Sequence, residues 1–226
     1  MDLKVHITMY NAENMIQPCL GAALKVFPGL TVHDFGSEDN GPYYVEQMNN
    51  ITIDYHGRLS GEDYVKLKEQ VARESKYTFW IDADEVWPEE SLRAVVRHLE
   101  VYSVVNGYWR NLKVRDGKIL MCEPMHRGAI AWDSTEFRIH REWPWEKLDT
   151  RGRMVREQVQ IDAQDVWCYH GVLLNVSNLP DKKNRWKKRA HRDDECKDKV
   201  WQCLPDLPFP YKHTEILEKP KFVWYK

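Results

Sequence analysis

Apolar and polar positions alternate between two periods along the first hundred residues. Residues 3–9 (LKVHITM) are short, β-prone and partly alternating, which predicts a strand. Residues 11–13 read as a loop. Over 14–26, Met15, Ile16, Leu20, Ala23, Leu24 and Val26 recur at helical spacing until Phe27-Pro28-Gly29 breaks the pattern. A second strand over 30–35 runs into the turn-rich 36–42. A helix near 43–48, a strand near 50–55 and a helix over 62–75 follow. Residues 77–81 (YTFWI) are a continuous apolar run ending at Asp82. Pro88, Glu89 and Glu90 then open another helix, with acids at its positive end.

The order β-α-β-α-β-α-β-α predicts an α/β fold: a mostly parallel central sheet with helices on both faces. In such sheets ligands bind outside the carboxyl ends of the strands. Three polar groups fall at those ends: Tyr10-Asn11, residues 34–39, and residues 82–85. Positions spread over some 75 residues would therefore meet at one cleft. Beyond residue 100 the pattern changes to strand-like pieces over 104–114, 118–121 and 137–140. A helix is expected over 181–196, with Pro180 near its first turn, followed by a Pro-rich tail. This second half reads as a mixed α+β region of the same continuous domain, with halves 1–100 and 101–226.

Composition narrows the classes. A formal net charge of −2 over 226 residues demands neither nucleic acid nor membrane. The first residues, MDLKVHITMYNAEN, do not read as a signal peptide. No stretch reaches the roughly 18 apolar residues of a membrane span. The expectation is a cytoplasmic protein, peripheral to a membrane at most. Five cysteines without a CxxC predict unpaired buried thiols rather than disulfides or a zinc knuckle. GxGxxG and GxSxG are both absent, so dinucleotide redox chemistry and a Ser-His-Asp hydrolase have no support. The segment MYNAEN lacks the Gly and Lys of a nucleotidyltransferase phosphate loop.

Asp82-Ala83-Asp84-Glu85 follows a buried strand. Alternating carboxylates at a strand end can hold a hard divalent cation, Mn or Mg, which would neutralise a leaving diphosphate. The same four letters also describe a solvated acidic turn before a helix, and both readings stay open on them alone.

Three segments carry a resemblance. YTFWIDADEVWPEESL is similar to the DxD segment of family 2 glycosyltransferases of the GT-A fold, in the "LDADE" subgroup that includes lipopolysaccharide-core and phage sugar transferases. ITMYNAENMIQPCLGAAL resembles that family's first strand, loop and helix, and VHDFGSEDNGP its segment after the second strand. A looser likeness covers DVWCYHGVLLNVSNLPDKKNRWKKRA. The resemblance implies a GT-A-type domain with a nucleotide-sugar half at 1–100 and an acceptor side at 101–226. It implies a UDP- or GDP-linked sugar donor and inverting transfer to an acceptor hydroxyl. Tyr10, Asn11, Glu13 and Asp34 would line the nucleotide pocket, with Asp34 accepting from the nucleobase. Asp82 would meet the donor ribose or metal-bound water, and Asp84 and His170 would hold the metal and diphosphate. Arg58 would supply the basic residue between the second strand and DxD, in competition with Lys66 and Lys68. Phe35 and Gly41-Pro42 depart from the family pattern without striking the metal site.

Inverting transfer needs a carboxylate to deprotonate the acceptor. Glu146 is the candidate, because Trp143 and Trp145 would give it an apolar, pKa-raising wall; Asp149, Glu142 and Asp133 are rivals. His126-Arg127 and Arg138-His140-Arg141 are candidate phosphate contacts. The stretch 182–192, with Lys183, Arg185 and Trp186, reads either as a solvated helix or as a contact for a polyanion. Acceptors in view are a glycan, a glycolipid or a modified DNA base, the last as in phage enzymes of the host cytoplasm. A non-enzymatic nucleic-acid-binding protein using 182–192 is the alternative of a different class.

Overall fold

The computed structural model describes residues 1–115, 118–142, 145–151, 160–171 and 201–204. The first half alternates as its pattern predicts: β1 Leu3–Met9, α1 Ile16–Ala23, β2 Leu30–Asp34, α2 Gly41–Glu46, β3 Ile51–Tyr55, α3 Gly61–Ala72 and β4 Tyr77–Asp82. A two-residue strand, β5 Glu85–Val86, precedes α4 Glu89–Leu99. The described residues beyond are strands: β6 Val104–Arg115, β7 Lys118–Cys122, β8 Met125–Asp133, β9 Phe137–Glu142, β10 Trp145–Thr150, β11 Gln160–His170 and β12 Trp201–Leu204. The helix expected over 181–196 and the Pro-rich tail lie outside the described residues.

Strands β3-β2-β1-β4 are parallel neighbours in that order. Beyond β4 the sheet turns mixed: β8 runs antiparallel to β4 and to β6, while β11 runs parallel to β6 and antiparallel to β5. Both halves of the chain thus share one sheet. After β3 the chain crosses back to lay β4 on the other side of β1. That reversal opens a crevice between the ends of β1 and β4, the place where open α/β sheets bind ligands. Thr8 is paired with Asp82 and Met9 with Asp34, so the three strand ends stand level.

The two-residue period sorts the faces. Val5, Ile7, Met9, Val32, Phe79 and Ile81 form one core with Ile16 and Leu20 of α1 and with Leu92, Val95 and Leu99 of α4. On the opposite face Trp80 packs with Val65, Val71 and Ala72 of α3 and with Phe137 and Ile139 of β9. Burial on both faces explains the unbroken apolar run of β4. Ser60 caps α3 by accepting from the Asp63 amide at 3.1 Å. Glu89 and Glu90 at the start of α4, with Arg97 and His98 at its end, match the helix dipole. Cys19, Cys122 and Cys168 are buried thiols outside any disulfide. Burial first, then the Glu85 charge, pushes the Cys19 and Cys168 thiols well up, so both stay protonated. Among the described residues no helix is long and apolar enough to cross a membrane.

The face under α3 carries an unusual polar row. His6 Nδ1 lies 3.1 Å from His33 Nε2, and both rings stack on Trp80. Burial, then the neighbouring His33, lowers His6 to about 3; burial, then His56, lowers His33 to about 4. Both therefore fold neutral. Above the ordinary imidazole value of about 6.5 neither folded nor unfolded chain binds these protons, and no stability is lost. Below it the unfolded chain takes protons that the folded chain refuses, and stability falls until the folded values are passed. In metal-free buffer, urea unfolding should show a loss on the order of 3 kcal/mol or more between pH 6.5 and 4, at about 1.4 kcal/mol per pH unit for each such group. The slope should be shallower in His6→Gln.

Candidate functional site

The loops after β1 and β2 are stitched together. Asn11 takes the left-handed conformation (φ 46°), which its short polar side chain tolerates. Its amide donates to Ser37 Oγ at 2.9 Å, and its Oδ1 accepts from the Glu38 amide at 2.7 Å. Two residues on, the Glu13 amide donates to Asp39 Oδ2 at 2.9 Å, and Glu13 Oε2 accepts from the Asn40 amide at 3.0 Å. Asp34, almost fully buried, accepts from the amides of Gly36 and Ser37 at 3.2 Å. Its carboxylate thus shapes the loop. Gly36 (φ 79°) makes that turn, and a Cβ there would meet the Arg58 amide at 3.3 Å. Arg58 hydrogen-bonds the Tyr10 hydroxyl and lies 5.1 Å over the Tyr10 ring. Tyr10, Asn11, Glu13, Asp34 and Arg58 are thus gathered on the joined loops after β1, β2 and β3. Lys68 is turned away beneath the sheet, 4.7 Å over the Trp80 ring, while Lys66 pairs with Glu62 on the surface of α3.

The opposite wall follows β4. Glu85, read either as part of the acidic cluster or as a solvated turn acid, is fully buried and anchors the turn. Its Oε1 accepts from Trp109 Nε1 at 2.7 Å and from Arg127 Nε at 2.5 Å. Its Oε2 accepts from the Asp82 amide and Trp87 Nε1 at 3.2 Å and from Arg127 Nη2 at 3.1 Å. A buried carboxylate with every acceptor site used is the arrangement that offsets desolvation. Arg127 also lies 3.8 Å from Asp82 Oδ2 and stands over the Trp109 ring. Its guanidinium is thereby engaged inside the protein, which takes it out of the expected phosphate-contact role. Burial, then the Glu85 charge, pushes the Asp82 carboxyl up while Arg127 opposes. The 42 % of the Asp82 side chain that remains exposed moderates that push.

Asp84 and His170 meet across the crevice. His170 ends β11, paired opposite Glu85, and the Gly171 amide donates to the Asp84 carbonyl at 2.7 Å. His170 Nε2 stands 3.7 Å from Asp84 Oδ1, each side chain 11 % exposed. The imidazole stacks on Trp109 at 4.6 Å, and its Nδ1 lies 2.6 Å from Asn111 Oδ1. Asn111 Nδ2 points to Met125 Sδ at 3.2 Å, which sets the amide so that its oxygen faces His170. An amide oxygen only accepts, so Nδ1 carries a proton and Nε2 is the nitrogen that faces the carboxylate. With Nε2 unprotonated, a cation would fit between it and Oδ1, since bonds of about 2.1 Å to each would span the 3.7 Å gap.

The remaining expected residues separate. His126 is exposed and pairs with Asp162 at 3.2 Å, outside this network. Glu146 lies on β10 opposite Arg141 of the β9–β10 hairpin, and its side chain is outside the described residues, as are those of Glu142, His140 and Arg141. Asp149 is exposed and lies 3.8 Å from Arg138. Asp133 is fully buried and accepts from the Thr135 amide and hydroxyl, a structural role that removes it as a base. Lys183, Arg185 and Trp186 lie outside the described residues. Trp109 and Asn111, which position His170, were missed: a Trp and an Asn on a strand carry no signal until β11 is laid beside β6.

No family model matches the chain, and no curated protein matches it in sequence. Among solved structures it is similar to TarS 1-349 of S. aureus, at 20% identity and a TM-score of 0.43, over 51% of this chain and 37% of that one. It is similar to glucosyl-3-phosphoglycerate synthase from Mycobacterium tuberculosis, in complex with Mn2+, UDP and glucosyl-3-phosphoglycerate, at 15% identity and a TM-score of 0.42, over 48% of this chain and 44% of that one. The mannosyltransferase PcManGT from Pyrobaculum calidifontis, in complex with GDP-Man and Mn2+, is similar at 15% identity and a TM-score of 0.49, over 89% of this chain and 66% of that one. The match thus spans less than half the length of the first two proteins and about two thirds of the third.

Proposed function

We propose that the chain is a metal-dependent, inverting glycosyltransferase that moves a sugar from a UDP- or GDP-linked donor to an acceptor hydroxyl. The observation that carries this is the Asp84–His170 pair beyond the end of β4, a carboxylate oxygen 3.7 Å from an imidazole nitrogen whose ring is fixed by Asn111. Asp84 and His170 would hold a divalent cation, Mn or Mg, which supplies neutralising charge to the diphosphate. Tyr10, Asn11, Glu13, Asp34 and Arg58 form the wall that would receive the nucleoside, and Asp82, half-exposed at the rim, faces the donor. The Glu85–Arg127 network holds Asp82 in place before any ligand arrives, which is how a site avoids reorganisation during reaction. Glu146 would take the acceptor proton, with Asp149 and Glu142 as its competitors. A glycan, a glycolipid or a modified DNA base is the acceptor class that the Trp-containing basic stretch 182–192 suits.

Calorimetric titration with UDP, GDP and CDP, each with and without Mn, tests the donor. One nucleotide should bind in a metal-dependent manner, and at 100 times its dissociation constant it should stabilise the fold by about 2.7 kcal/mol. Equal, metal-independent or absent binding of all three would remove the transferase reading.

A further inference from the structure

The polar row under α3 ends in a cluster that the crevice does not use. His33 Nδ1 lies 3.0 Å from His56 Nε2 and 3.6 Å from Asp54 Oδ2. One ligand atom from each of the three residues lies within 4.8 Å of the other two. A tetrahedral ion with bonds of about 2.0–2.1 Å separates its ligand atoms by roughly 3.3 Å, and the two measured separations straddle that value. Two imidazoles and one carboxylate are a ligand set for zinc and its neighbours, in contrast to the harder donors that suit Mn or Mg.

The surroundings hold this set in place. His33 is anchored through Nε2 by His6 Nδ1 at 3.1 Å and lies flat on Trp80, the rings 5.4 Å apart and 9° from parallel. His56 stacks on Phe35 at 5.5 Å, and its amide donates to the Asp34 carbonyl at 2.9 Å. Outer partners of this kind fix the ring that binds a metal. Asp54 is 46 % exposed on its side chain, so the cluster opens to solvent, and three protein ligands leave the fourth position to water. With a metal on His33 Nδ1, the proton of His33 moves to Nε2 and that of His6 to its own Nε2. The latter atom has no protein partner among the described residues, which sets affinity below that of a closed structural zinc site.

We propose that His33, Asp54 and His56 form a zinc-class transition-metal site, separate from Asp84 and His170. The ion would clamp the edge strand β3 to β2 and hold the 56–58 segment, from which Arg58 reaches Tyr10. This proposal does not depend on sugar transfer. The test is calorimetric titration of chelator-treated full-length protein with zinc chloride, in the Asp84→Ala background so that the crevice site is silent. The expected result is binding of zinc with a rise in melting temperature, weakened at least about 10-fold by His56→Ala and by Asp54→Asn. Asp54 lies on the exposed side of an edge strand, so Asp54→Asn keeps the fold, which circular dichroism verifies. No zinc binding in the Asp84→Ala protein, or binding of unchanged affinity in both further variants, would overturn the proposal.

Discussion

Asp84→Ala is expected to abolish metal-dependent nucleotide binding and to slow sugar transfer by about 100- to 1,000-fold, the loss typical of removing one preorganised stabiliser of developing charge. Asp84 Oδ1 is the carboxylate oxygen that faces His170 Nε2, so its removal would take one of the two proposed ligands from the cation. Stability should not fall with activity. The variant removes one of three acids within four residues, and the Gly171 bond to residue 84 runs through the backbone carbonyl. Donor turnover measured beside a thermal melt separates the two effects. An active Asp84→Ala, or one that melts many degrees lower, would contradict the assignment.

Glu85→Ala should be the most destabilising change at the site, by about 3–5 kcal/mol, because it leaves the Arg127 guanidinium buried without its main counter-charge. Among the described residues Arg127 would keep Asp82 Oδ2 at 3.8 Å, the Trp80 carbonyl at 3.4 Å and the face of the Trp109 ring. Trp87 and Trp109 each lose the acceptor of their indole N–H as well. For a chain of this size the melting temperature should fall by roughly 6–20 °C. Urea unfolding provides the check. A loss below about 1 kcal/mol would mean that the five bonds drawn to Glu85 do not hold the turn.

The alternating half of the chain was legible because local pattern and tertiary role agree there. The apolar run 77–81 is a strand buried on both faces, and Pro28-Gly29 ends the helical pattern before β2 as expected. The same logic led from strand ends to the crevice, since positions at the ends of parallel strands converge whatever their separation in sequence. It failed where meaning depends on long-range pairing. Glu85 reads as a helix-start acid until β11, β6 and β8 bring Tyr169, Trp109 and Arg127 around its turn. Arg127 reads as a phosphate contact beside His126, yet alternation on β8 sends its side chain to Glu85 and that of His126 to Asp162. The histidine row was missed for a related reason. His6 and His33 sit singly on β1 and β2 and His56 just past the end of β3, and only the parallel register brings them together. Strands β8 and β11 escaped notice because polar residues interrupt their apolar positions.

Anomalous diffraction from crystals soaked with Mn and the nucleotide that binds tests the central claim most directly. A Mn peak is expected about 2.1 Å from both Asp84 Oδ1 and His170 Nε2, in contact with the diphosphate, with the nucleoside against Tyr10 and Arg58. A Mn peak elsewhere, or a nucleotide bound away from the crevice between β1 and β4, would contradict it.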